Sequence, residues 1–206
     1  MKANRFFDIK KATEETPVKQ LASHYKAKLL LSHYQKIKNL DQELVRLPSC
    51  GEIFFLQSDN SFNAFTFIPL VCKSQKIKHL YVATYNITRN IIQALKELTD
   101  GGHLEKITVL ISDSFVTRNP GTADILKSWV SSDPKVNVLF SWTHAKVTLM
   151  ETEENFYTVE GSGNWSDNAF YEQYILLNDE KVFNFRKQLF INSVIKFSYE
   201  NTSQPE

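Results

Sequence analysis

The chain has 206 residues, 42% of them apolar and 13% aromatic, which is enough to bury the core of one domain and excludes a largely disordered chain. Its net charge is only +1, but residues 1–50 carry ten Lys/Arg against five Asp/Glu while the remainder carries 14 against 18. A basic arm on a mildly acidic body suits a polyanionic partner; a lysine-rich solvated helix face is the plain alternative.

No apolar run reaches the roughly 18 residues that a membrane-spanning helix needs. The opening MKANRFFDIKKATEE lacks the apolar core of a signal peptide. These features predict a cytoplasmic protein without integral membrane association. Cys50 and Cys72 form no CxxC and lie near no His cluster, so they read as reduced structural thiols.

In chain order, residues 1–16 are a polar lead-in. Over 18–47, Leu21, Tyr25, Leu29, Leu30, Tyr34, Ile37, Leu40, Leu44 and Leu47 recur at spacings of three and four, which predicts a long amphipathic helix. Pro48 stops it and Gly51 opens the next segment. Residues 1–50 are therefore expected to form a basic N-terminal helical arm, and residues 51–206 the main domain.

From residue 52 the pattern alternates. Strands are predicted at 53–56, 79–87, 106–112 and 136–142. Helices are predicted between them at 62–74, with Ser58 or Asp59 as N-cap and an awkward Pro69, at 89–99 behind Thr88, and at 122–131. Such βαβ units imply parallel pairing. A hairpin (145–150 and 155–160), a strand (173–177) and a closing helix (179–197) follow. The expected fold is α/β: a mixed, mostly parallel sheet flanked by helices.

The chemistry concentrates in SWTHAKVTLMETEENFYTVEGSGNWSDNAFYE, residues 141–172. His144 and Lys146 are two apart, and on an extended strand they would point to one side. Gly161-Ser162-Gly163-Asn164 is a small-residue loop, and Glu172 is a carboxylate just ahead of the next strand. His79, His103, His24 and His33 are scattered, and no metal-ligand set is visible.

His144-Ala145-Lys146, four residues, an acid and then Gly-Ser-x-Asn resembles the active-site motif of the phospholipase D superfamily, in its single-motif bacterial nuclease-like branch. Glu151 stands where the motif has Asp. The resemblance spans about residues 51–197 and implies a phospholipase D-like sandwich whose catalytic domain is 51–206. It implies a phosphohistidine formed on His144, with Lys146, Ser162 and Asn164 on the phosphate oxygens and Glu172 orienting the imidazole. Gly161 and Gly163 would let phosphate approach closely. By its position Trp165 suits the core as well as a base-stacking wall, and Arg118, in the loop after the third strand, is either a further phosphate contact or a solvated side chain. No metal or cofactor enters this chemistry.

One His cannot both attack phosphorus and protonate the leaving oxygen. Relatives with two motifs face them together; a single motif implies a homodimer with His144 of each subunit at a shared site. The expected activity is metal-independent phosphodiester hydrolysis, with nucleic acid as substrate. Two alternatives remain at this point: a nucleic-acid-binding module with weak or lost turnover, and a phospholipid phosphodiesterase. Glu160 and Asp167, beside the loop, are expected to make local hydrogen bonds.

Overall fold

In the computed structural model, which describes residues 31–37, 40–59, 62–166 and 170–199, nine strands form one sheet. They are β1 (Leu31–Ile37), β2 (Glu52–Ser58), β3 (His79–Thr84), β4 (Ile107–Ser112), β5 (Val136–Ser141), β6 (Val147–Glu151), β7 (Phe156–Gly161), β8 (Gln173–Asn178) and β9 (Phe197–Tyr199), in the order β1-β2-β8-β7-β6-β3-β4-β5-β9. The β1–β2, β3–β4 and β4–β5 pairs are parallel and the other five are antiparallel. The sheet is mixed, as expected, with a smaller parallel share than the βαβ repeats suggest.

Helices α1 (Leu40–Glu43), α2 (Phe67–Cys72), α3 (Arg89–Asp100), α4 (Phe115–Arg118), α5 (Pro120–Ser132) and α6 (Glu180–Asn192) accompany it. Strand pleating divides the core in two. On β3 and β4, Leu80, Val82, Ile107, Val109 and Ile111 face the helix layer carrying Phe67, Ile92, Leu95, Leu126 and Trp129. Tyr81, Ala83 and Leu110 face the opposite way and pack with Phe183 and Phe190 of α6. Each large apolar side chain buried here contributes about 1.5–3 kcal/mol.

The local signals explain the helix ends. Thr88 accepts from the Ile91 amide at 3.4 Å and so caps α3, which the chain leaves through Gly102 at φ 74°. Asp179 caps α6 by accepting from the Val182 amide at 2.9 Å. Pro69 is tolerated because it falls in the first turn of α2, where an amide has no partner within the helix.

Several expectations change. The helix predicted over 18–47 gives way at Leu31–Ile37 to a strand, because this segment pairs in parallel with the outer side of β2 and satisfies a backbone edge that would otherwise be open. Residues 18–30 lie outside the described residues. The end of the apolar stripe does serve the core: Leu40 and Leu44 are buried around α1. Neither Ser58 nor Asp59 is the cap before α2; Asn63 accepts from the Phe65 amide at 3.0 Å and caps a short 3-10 turn at Ala64–Thr66. The closing helix stops at Asn192 because the chain then turns extended at Ser193 to run along β5. There Ser141 donates to the Val194 carbonyl at 2.8 Å, Lys196 N–H donates to the Phe140 carbonyl at 2.7 Å, and β9 pairs with β5.

Candidate active site

Strand direction gathers the candidate residues. The C-terminal ends of β2, β3, β4, β5 and β7 meet the N-terminal ends of β6 and β8 at one end of the sheet. His144 and Lys146 lie in the loop entering β6; Val147, the next residue, pairs with Glu160. Gly161 ends β7 beside Tyr174 of β8, and Ser162 continues past it, its amide donating to the Gln173 carbonyl at 3.1 Å. Neighbouring strands are about 4.8 Å apart, so the His-Lys loop and the Gly-Ser-Gly-Asn loop are adjacent.

His144 and Lys146 are therefore loop residues, and the strand predicted from 145 begins at Val147. Lys146 Nζ donates back to the His144 carbonyl at 3.3 Å, and the Ala145 amide donates to Thr143 Oγ1 at 3.1 Å. The loop is tied to itself, with His144 exposed at its tip. The imidazole lies against Tyr85, at the end of β3, with ring centroids 4.1 Å apart and planes at 34°. Trp142, two residues before His144, is 86% exposed and among the described residues makes no such contact.

Glu172 is at this end of the sheet but faces a different group. Its carboxylate accepts from the Ser162 hydroxyl, and Ser162 Oγ in turn accepts from the Gln173 amide at 3.1 Å. The Glu172 backbone is anchored on Ser58: its amide donates to Ser58 Oγ at 2.6 Å and its carbonyl accepts from the Ser58 amide at 2.8 Å. Among the described residues no hydrogen bond joins Glu172 to His144. The carboxylate expected to orient the imidazole is thus bonded to the serine loop in this structure.

Of the two places open to Trp165 by sequence, the structure has the core: it is 1% exposed and offers no stacking surface. Its Nε1 donates to Thr148 Oγ1 at 3.2 Å, its amide donates to Thr84 Oγ1 at 3.3 Å, and its carbonyl accepts from the Thr88 amide at 3.1 Å. The Trp165 backbone fastens the loop after β7 to the end of β3 and the loop that carries Tyr85, and its indole fastens the same loop to β6. Gly161 is required by close packing: a Cβ there would collide with the Gln173 carbonyl oxygen and lie 2.7 Å from Tyr174 Cδ1. Gly163 is buried and Asn164 half-buried, with the Asn164 Oδ1 shielded from solvent.

Arg118, at the end of α4, joins the same group. Its Nη2 donates to the Tyr85 carbonyl at 3.0 Å, its Nε to Ser114 Oγ at 3.3 Å, and its guanidinium carbon lies 4.0 Å from the Tyr85 ring centroid. Glu160 does not bond locally; it takes a two-pronged ion pair from Arg186, pinning α6 near the site. Asp167 lies outside the described residues. Glu151 sits at the far end of β6, about 13 Å along the strand from Val147, and pairs with Lys187 at 3.4 Å. Burial alone would lower the Lys187 ammonium, but Tyr81 and Glu151 hold its pKa above the ordinary value. An acid at 151 thus acts on packing.

The remaining titratable groups do not converge on the site. Burial, reinforced by Lys106 and Lys187, pushes the His79 imidazole down to about 4. Burial pushes the Cys72 thiol up to about 11, which removes it as a nucleophile. Among the described residues there is no group of three His, Cys, Asp or Glu placed to hold a metal ion, and no helix long and apolar enough to cross a membrane.

No protein-family model matches the sequence, and no curated protein matches it significantly. Solved structures do. Nuc from Salmonella typhimurium, a phospholipase D family member, aligns at TM-score 0.55 and 15% identity over 73% of this chain and 100% of Nuc. Polyphosphate kinase from Porphyromonas gingivalis aligns at TM-score 0.54 and 13% identity, over 69% of this chain and 26% of the kinase. Phosphatidylserine synthase from Haemophilus influenzae aligns at TM-score 0.50 and 18% identity, over 75% of this chain and 40% of the synthase. At these identities the likeness establishes the fold, and it is the phospholipase D fold.

Proposed function

We propose that this chain, which has the phospholipase D fold, is a metal-independent phosphodiesterase that cleaves nucleic acid at a site shared by two copies. The observation that carries the reading is the convergence of His144, Lys146, Ser162, Asn164 and Glu172 at one end of the sheet, with Glu172 holding Ser162 and Trp165 fixing the serine loop to the end of β3. These residue types match the demands of phosphodiester hydrolysis. The transition state spreads negative charge over the phosphoryl oxygens, which a lysine point charge and fixed neutral donors stabilise.

In this reading a neutral His144 nitrogen attacks phosphorus. The phosphorus–nitrogen bond forms as the phosphorus–oxygen bond to the leaving group breaks, and His144 of the second subunit, entering as imidazolium, protonates the leaving oxygen. Water then attacks the phosphohistidine with that second imidazole as base, and both histidines return to their starting forms. Each copy contributes one motif, which answers the missing general acid of a single chain.

Nucleic acid is favoured over lipid by what surrounds the site. Trp142, two residues from His144, is 86% exposed, and Tyr171, next to Glu172, is 74% exposed. Exposed rings beside a phosphate site can stack bases. The basic first 50 residues add charge attraction for a polyanion. The test is cleavage of DNA and RNA oligonucleotides in EDTA by wild type and His144→Ala, with phospholipid vesicles in parallel. Oligonucleotide cleavage that persists in chelator and disappears in His144→Ala supports the reading. Cleavage that needs added metal, survives the substitution, or occurs only on vesicles refutes it.

A further inference from the structure

His144 can act as nucleophile only if something fixes the plane of its ring, and this inference rests on that reading of His144. Among the described residues Glu172 is committed to Ser162, and no side chain hydrogen-bonds to the His144 ring. The contact that the ring does make is with Tyr85, at 4.1 Å between centroids. The same tyrosine ring has the Arg118 guanidinium against it at 4.0 Å, and Arg118 is fastened there by the Tyr85 carbonyl and the Ser114 hydroxyl. Tyr85 follows a secured backbone: Thr84 Oγ1 donates to the Asn86 carbonyl at 2.8 Å and accepts from the Trp165 amide.

We infer that Tyr85 is the positioning residue of the site, setting the orientation of His144 and the placement of Arg118 through one ring. A hydrogen-bonded orienter would occupy one imidazole nitrogen. An aromatic contact occupies neither, so one nitrogen is free to meet phosphorus and the other to exchange its proton. On the same ring, the cation–π contact keeps Arg118 close to the reacting group, where its planar fork supplies a second fixed positive charge for phosphate oxygens beside Lys146. Removing the ring would release both groups at once, although it touches no phosphate itself.

The test compares full-length wild type, Tyr85→Phe and Tyr85→Leu with bis(p-nitrophenyl) phosphate as phosphodiester probe. The imidazole proton resonances of His144, assigned by their loss in His144→Ala, are read by NMR in the same samples. Tyr85→Leu is expected to lower kcat by about 10- to 100-fold, the scale of a small misplacement of reacting groups, with KM changed far less. Its His144 resonances should move because the ring current is gone. Tyr85→Phe keeps the ring and should rescue both kcat and the resonance positions. The inference is overturned if Tyr85→Leu keeps wild-type kcat, if Tyr85→Phe is as impaired as Tyr85→Leu, or if the His144 resonances do not move in Tyr85→Leu. A wild type inactive on every phosphodiester, with resonances that still respond to Tyr85→Leu, would defeat the functional reading and reduce Tyr85 to a structural contact.

Discussion

The Glu172 carboxylate accepts a hydrogen bond from the Ser162 hydroxyl across the β7–β8 pair, so the acid of this site holds the serine loop and leaves the histidine to other contacts. Glu172→Ala should therefore loosen the loop, lowering kcat by about 10- to 100-fold. Glu172→Gln, which keeps an acceptor, should lose less. A double-mutant cycle with Ser162→Ala checks the link. Coupled residues give a double variant little worse than the worse single, and additive losses would mean that the two act separately.

Trp165 reports on the seam between the two loops. Trp165→Phe keeps the ring volume roughly but drops the Nε1 bond to Thr148, leaving a buried acceptor short of a partner. A cost of about 1–3 kcal/mol in urea unfolding is expected. Trp165→Ala opens a cavity and should cost about 3–5 kcal/mol.

Gly161 is constrained by the backbone of β8, not by backbone strain. Gly161→Ala forces the Gln173 carbonyl and the Tyr174 ring aside and should cost about 1–3 kcal/mol in stability. Because Glu172 immediately precedes β8, activity should fall together with stability. Thermal unfolding and a phosphodiesterase assay on the same preparation check this.

His79 makes stability depend on pH at the opposite end of β3. Its imidazole is held near 4, first by burial and then by Lys106 and Lys187, against 6.5 when unfolded. Between those values the unfolded chain binds the extra proton, so its contribution is complete above about pH 6.5 and is lost as pH falls toward 4. With allowance for partial solvent exposure the effect is about 1–2 kcal/mol. The His79→Gln variant, measured by urea unfolding at pH 7 and pH 4.5, should show a smaller loss on acidification than wild type.

Much of the core was readable locally. The strands β2 to β8, the Thr88 cap and the paired His-Lys and Gly-Ser-Gly-Asn segments follow from periodicity, capping chemistry and motif spacing. Three features were not readable for a common reason: each is decided by a partner far along the chain. Leu31–Ile37 has helical spacing, yet an available edge on β2 makes it a strand. Trp165, next to the motif, could be core or stacking surface by sequence, and only its distant partners Thr84 and Thr148 decide for the core. Tyr85 carries no signature of its own; it is brought to His144 because β3 and β6 are neighbours, with Ala83 opposite Val147. An aromatic at the end of a parallel strand adjoining the histidine strand was the one available clue.

The central claim is that His144 carries the phosphoryl group. The full-length protein, incubated with bis(p-nitrophenyl) phosphate in EDTA and quenched in base, should give a peptide spanning residues 143–146 with a base-stable, acid-labile p-nitrophenyl phosphoramidate on His144, and none in His144→Ala. Turnover of the probe with no adduct on His144 at any quench time, together with an active His144→Ala, would contradict the account.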